Sequence, residues 1–123
     1  MAVCIPYLGV TNLAQTIKWY LAIGFSCTGS SLTWAPQAPI TWAQLEWEGA
    51  AFMLFSSEKE MLPGQVRDAG LYFKVNNING LVDTLQLYAR IIELTEQTFY
   101  GKQEVVFEDL NGYRITFSAN QKY

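Results

Sequence analysis

One face of residues 13–21 is apolar: Leu13, Ile17, Tyr20 and Leu21 recur at the spacing of a helix turn. Asn12 stands just before them, where its side-chain oxygen can accept from a free backbone N–H, and Gln15 holds the capping-box position. Gly24 follows at the place where a left-handed residue ends a helix. Strand-like sequence comes next, at residues 25–28, 40–47 and 51–56, with Glu48-Gly49 as the turn before the last run. Residues 30–39 hold Trp34, Pro36 and Pro39 and read as a longer loop.

The same order then recurs. Leu8-Gly9-Val10-Thr11-Asn12-Leu13 reads against Phe73-Lys74-Val75-Asn76-Asn77-Ile78, and this offset of 65 carries Ile17 onto Val82 and Tyr20 onto Leu85. Asn77 takes the capping role of Asn12, with Ile78, Val82, Leu85 and Ala89 on the helix face and Gly80 weakening the first turn. Strands are expected at 91–94, 103–108 and 113–118, with 109–112 as the turn. Glu48-Gly49 parallels Asn111-Gly112, and the second copy reads as one residue shorter after its glycine. The fold class is therefore α+β, with two tandem βαβββ modules: about 1–57, a linker at about 58–67 containing the Pro63-Gly64 turn signal, and about 68–120.

Composition narrows the chemistry. The chain has 123 residues, half of them apolar and 15% charged, which fits one ordered domain. No apolar stretch approaches the ~20 residues of a bilayer span, and the N-terminus lacks the features of a signal peptide, so a cytoplasmic protein is expected. A net charge of −3 without a basic run argues against a nucleic-acid partner. Cys4 and Cys27 match no metal or redox spacing and are expected to be reduced, buried hydrophobes. The chain has no histidine, which removes every mechanism that uses imidazole as base or ligand.

The repeat and its motifs resemble the vicinal oxygen chelate superfamily, which includes glyoxalase I, extradiol dioxygenases, fosfomycin-modifying enzymes and bleomycin resistance proteins. Val10-Thr11-Asn12-Leu13 is similar to the family's Val-x-Asp-Leu. Trp19-Tyr20 with Ile23-Gly24-Phe25 is similar to its Phe-Tyr…Leu-Gly-Phe. Tyr100-Gly101 with Glu108-Asp109-Leu110-Asn111-Gly112-Tyr113 is similar to its Tyr-Gly…Asp-Pro-Asp-Gly-Tyr. The resemblance implies a curved mixed sheet around a cavity, with the helices outside. Its metal-ligand positions fall on Ile5, Leu54, Gly70 and Thr116, none a usable ligand, so no metal and no cofactor are expected. The pattern is nearest to the metal-free bleomycin resistance type, and a homodimer is implied by analogy, hinged at 57–68.

With Leu54 and Thr116 inward, strand alternation turns Phe52, Ser56, Arg114 and Ser118 inward too. Their expected hairpin partners are Trp42, Gln44 and Glu46, then Glu104, Val106 and Glu108. Leu45, Met53 and Phe55 would meet the first helix, and Phe107, Ile115 and Phe117 the second. The expected ligand-binding set is Tyr7, Trp34, Trp42, Glu46, Phe52, Tyr72, Glu104, Glu108 and Arg114, with no catalytic residue assigned. Aromatic faces beside carboxylates suit an amphipathic, cationic aromatic compound. The expected function is metal-free sequestration of such a small organic molecule, with drug resistance following where that compound is toxic. Two alternatives stay open. One is a metal-independent enzyme using Glu46, Glu104 or Glu108 as a base with a pKa raised by burial. The other is an interaction module whose cavity Trp42 and Phe52 fill. Blander readings also stand: Glu108 and Arg114 as a cross-strand pair, and Arg90 as an exposed residue near the end of the second helix.

Overall fold

The computed structural model describes residues 1–58 and 67–120, and in each stretch the element order is strand, helix and three strands. The chain clusters into two compact units, Met1–Leu62 and Pro63–Tyr123. Most of the proposed linker lies outside the described residues.

The first unit holds β1 (Tyr7–Val10), α1 (Leu13–Ile23), β2 (Ser26–Ser30), β3 (Trp42–Trp47) and β4 (Ala50–Ser56) in one sheet of order β1-β4-β3-β2. β1 runs parallel to β4 and the hairpin partners are antiparallel, so the sheet is mixed. Asn12 caps α1 as its position predicts, accepting the Gln15 N–H at 3.1 Å. Gly24 closes the helix at φ 130°, a left-handed value that favours glycine, and its N–H returns to Tyr20 and Leu21. Tyr20 is fully buried and meets Phe25 and Phe52 edge-on, with centroids 5.1 and 5.3 Å away. These rings, with Leu45 and Leu54, form the packing between helix and sheet.

The second unit repeats this with β5 (Gly70–Lys74), α2 (Leu81–Tyr88), β6 (Arg90–Thr95), β7 (Lys102–Glu108) and β8 (Arg114–Asn120), in the order β5-β8-β7-β6. Even an irregularity is repeated: β2 shifts register between Cys27 and Gly29, and β6 between Ile91 and Glu93, each pair 64 apart. Phe107, Ile115, Phe117 and Leu85 are fully buried, as the helix-covered face requires. In the 109–112 turn, Asp109 Oδ1 accepts from the Asn111 and Tyr113 N–H groups at 2.8 and 2.9 Å, and Gly112 takes φ 82°.

Three expectations are corrected. α2 starts at Leu81, capped by Gly80 at φ 79°, not at Asn77; the left-handed glycine cannot continue a helix, so the start moves past it. Arg90 is exposed just past the end of α2, as expected, and opens β6. Cys4 and Cys27 are free thiols but exposed: Cys4 lies ahead of β1, and Cys27 is on β2, the edge strand of the first sheet.

The third correction concerns β4. Leu45 pairs with Phe52 and Ala43 with Leu54, and all four are buried. Side chains directly opposite in a ladder share a face. Phe52 and Leu54 therefore face α1, while Met53 and Phe55 lie on the uncovered face with Trp42, Gln44 and Glu46. The cause is the one-residue gap placed after the second glycine. Gly49 and Gly112 are 63 apart, and so are Met53 and Thr116, the partners of Tyr7 and Tyr72 in β1–β4 and β5–β8. Without a gap the repeat gives the observed facing, so the inward position assigned to Leu54 belongs to Met53.

Candidate functional site

Each sheet has one face covered by its own helix and one that is not, and the uncovered faces collect most of the expected site residues. In the first unit, the uncovered face carries Tyr7, Trp42 and Glu46. Tyr7 is 58% exposed and packs on Phe55 with centroids 4.4 Å apart. The Trp42 ring lies across β2 at Gly29, where an added Cβ would come within 3.4 Å of it. Glu46 accepts from Gln44 Nε2 at 3.4 Å, and the same amide reaches Thr28 at 3.3 Å. Trp34 follows a short 3₁₀ turn at Ser31–Thr33 and stands exposed, away from the ladder. Phe52 is 1% exposed against α1 and is not available to a ligand.

In the second unit, ladder register sets Tyr72, Thr116 and Val106 in one row, and Lys74, Ser118 and Glu104 in the next. Glu104 is the centre of this face and is only 9% exposed. Two phenols converge on its carboxylate: the Tyr72 hydroxyl donates to Oε2, and the Tyr100 hydroxyl donates to Oε1 at 2.5 Å. Burial pushes the Glu104 pKa upward, but hydrogen bonds from Tyr100, Tyr72 and Ser118 and the charge of Lys102 outweigh it, so the net shift is downward. The phenols respond in the opposite sense. Tyr100 is pushed up to about 12, chiefly by its bond to Glu104, and Tyr72 is raised for the same first reason. Glu104 is thus held as an anion by neutral donors.

Beside the carboxylate is a hollow of about 360 Å³, lined by Glu93, Thr95, Phe99, Tyr100, Glu104 and Val106 among others. Phe99 and Tyr100 meet edge-on at its rim, centroids 4.8 Å apart. Glu108 and Arg114 lie opposite each other in the ladder at the far end of the face. The Glu108 ion pair is with Arg90 at 3.6 Å, so its charge is partly engaged from the β6 side.

Phe99 is absent from the expected ligand-binding set, and Tyr100 enters the sequence reading only as a turn residue at the cavity mouth. Tyr100-Gly101 reads as a turn, and strand alternation says nothing about side chains beyond a strand end. The available signal was the spacing of Tyr100 and Glu104 across the entry to β7, which lets a turn residue fold back on its own strand.

No protein-family model matches the chain, and no curated protein matches it by sequence. Solved structures do match it. TioX from Micromonospora sp. ML1 superposes with a TM-score of 0.76 at 16% identity, covering 99% of this chain and 98% of that one. A bleomycin-binding protein complexed with bleomycin gives 0.72 at 12% identity, over 98% and 99% of the two chains. A glyoxalase family protein from Enterococcus faecalis gives 0.66 at 18% identity, over 95% and 96%. The chain has the vicinal oxygen chelate fold. Among the described residues, no helix is long and apolar enough to cross a membrane, and no group of three or more His, Cys, Asp or Glu is placed to hold a metal ion.

Proposed function

We propose that this protein binds and sequesters a small amphipathic compound, an aromatic cation, without transforming it. The observation that carries the reading is Glu104: a carboxylate kept charged by two phenols and facing a hollow rimmed by Phe99 and Tyr100. A cation over an aromatic ring is stabilised by ~0.5–2 kcal/mol, and a carboxylate at 4 Å adds about 4 kcal/mol before desolvation costs, at an effective dielectric of 20. The bleomycin-binding structural neighbour supports a small-molecule role for the fold.

Catalysis by Glu104 as a base fits less well. A base working near neutral pH needs a pKa close to 7, and the expected upward shift is reversed here by three hydroxyl donors. A cavity filled by Trp42 and Phe52 also loses support, since Phe52 is committed to α1.

Calorimetric titration with bleomycin and with the planar cation proflavine tests the reading. Saturable binding, unchanged by a chelator and weakened about tenfold or more in Glu104→Gln, is the expected result. Absence of binding by both compounds, or equal affinity in Glu104→Gln, would overturn it.

A further inference from the structure

A second hollow, of about 240 Å³, opens on the same face of the second unit. Its walls include Tyr72, Lys74, Asn76, Lys102, Ser118 and Asn120. The two hollows meet at one hydrogen bond, because Glu104 lines the first, Tyr72 lines the second, and the Tyr72 hydroxyl donates to Glu104. Their chemistry differs. The first is bordered by carboxylates and aromatic rings, the second by ammonium groups, amides and a hydroxyl.

We propose that the second hollow is an oxyanion subsite, so that the compound held on this face is a zwitterion: an aromatic cation at Glu104, with a carboxylate or comparable oxyanion at Lys74 and Lys102. The proposal deepens the preceding reading and rests on it for the cationic half. Three observations support the anionic half. First, the Lys102 ammonium donates to Asn120 Oδ1, which positions it and leaves two of its three N–H donors for an anion. Second, two ammonium groups stand against the single carboxylate of Glu104, whose oxygens already accept from two phenols. The lysine end therefore keeps a net positive charge. Third, Lys74, Ser118 and Glu104 form one row across three strands, so Lys74 and Glu104 lie two strand spacings apart at the backbone, about 10 Å. A rigid aromatic skeleton bearing an amine or amidine at one end and an acid at the other spans that distance.

Rhodamine B is a suitable probe, because it joins a planar xanthene cation to a carboxylate; its ethyl ester keeps the cation and masks the acid. Fluorescence anisotropy is expected to show the acid binding about five- to tenfold tighter than the ester at low ionic strength, with the difference shrinking in high salt. The double variant Lys74→Gln/Lys102→Gln should abolish the difference in affinity between acid and ester, whereas Glu104→Gln should weaken both. Equal affinity of the two dyes for the unaltered protein, or equal weakening of both in the double lysine variant, would overturn the proposal. The anionic half is also tested alone, with sulfate and ¹⁵N NMR. Saturable shifts at the Asn76, Lys102 and Asn120 amides, abolished in the double variant, support it even if neither dye binds, in which case only the cationic reading fails. No sulfate response at these amides, together with no dye binding, overturns both.

Discussion

Tyr7 and Tyr72 hold the same place in the two units, 65 residues apart and both more than half exposed, yet their surroundings are opposite in kind. In the first unit, Tyr7 packs on Phe55, and Trp42 is the ladder partner of Phe55. In the second, Ser118 replaces Phe55, Glu104 replaces Trp42, and Tyr72 gives a hydrogen bond in place of a ring contact. Met53 and Thr116 differ in the same sense. The helix-covered faces show no such divergence: Phe52 and Leu54 stand where Ile115 and Phe117 stand, and all four are buried. Packing against a helix demands apolar side chains of fitting volume, whereas an uncovered face accepts any chemistry that its neighbours satisfy. One backbone therefore presents an aromatic surface in one unit and a charged, hydroxyl-rich one in the other.

The largest effect should separate the two faces of β4. Phe52→Ala removes a fully buried ring from the contact with Tyr20 and Phe25 and should cost about 3–5 kcal/mol of unfolding free energy. Phe55→Ala, three residues on and on the uncovered face, loses mainly the Tyr7 contact and should cost about 0.5–1.5 kcal/mol. Urea denaturation of the two variants measures both. Similar costs would mean that the facing of β4 described here is wrong.

The second effect concerns pH. The Glu104 pKa is lowered in the folded protein, so its hydrogen bonds stabilise above the unfolded value near 4.5 and are lost as pH falls through the folded value. Hydrogen bonds to a charged group are worth about 1.5–3 kcal/mol where well formed. Glu104→Gln should therefore lower the melting temperature at pH 7 and narrow its gap to the unaltered protein as pH drops below about 4.5. A gap that is constant from pH 7 to pH 3 would show that the phenols do not bind the charged form.

How far the sequence led is clear from these positions. The order of elements along the chain and the Asn12 cap followed from periodicity and the repeat, while the mixed sheets and the facing of β3, β7 and β8 followed from positions that the family resemblance implied. The facing of β4 did not, because one misplaced gap in a period-two pattern exchanges every side chain between faces. Asn77 lost its capping role because a left-handed glycine downstream outweighed a good cap residue. Glu104 was legible as a site carboxylate, but the direction of its pKa shift was not. Burial alone predicts a rise, and the donors that reverse it include Tyr100, which a turn brings back over β7.

Tyr100 offers a narrower test from the other partner of the same bond. Its pKa of about 12 is above the ordinary phenol value of 10.0, so the bond stabilises fully below pH 10 and is lost as pH rises through 12. Ultraviolet titration of phenolate absorbance should show a late-titrating component, from Tyr100 together with Tyr72, that moves towards 10 in Glu104→Gln. If it does not move, the elevation has another source, and the link between turn and strand is not what holds Glu104.

The smallest effect belongs to the Arg90–Glu108 pair. The arginine side chain is 79% exposed and the separation is 3.6 Å, so solvent and salt screen most of the attraction. Exposed pairs of this kind contribute about 0–1 kcal/mol, and Arg90→Ala should fall near the lower end of that range. The useful contrast is with Glu104→Gln, since Glu104 and Glu108 sit on the same strand and the same face, four residues apart. If ligand binding depends on Glu104 and is indifferent to Arg90→Ala, then what makes one carboxylate a site and the other a surface charge is its partner: neutral phenols keep Glu104 charged and available to a cation, while Glu108 already has one. Binding that improves markedly in Arg90→Ala would instead show that freeing Glu108 creates a second anionic contact, and would extend the site along the whole uncovered face of β7.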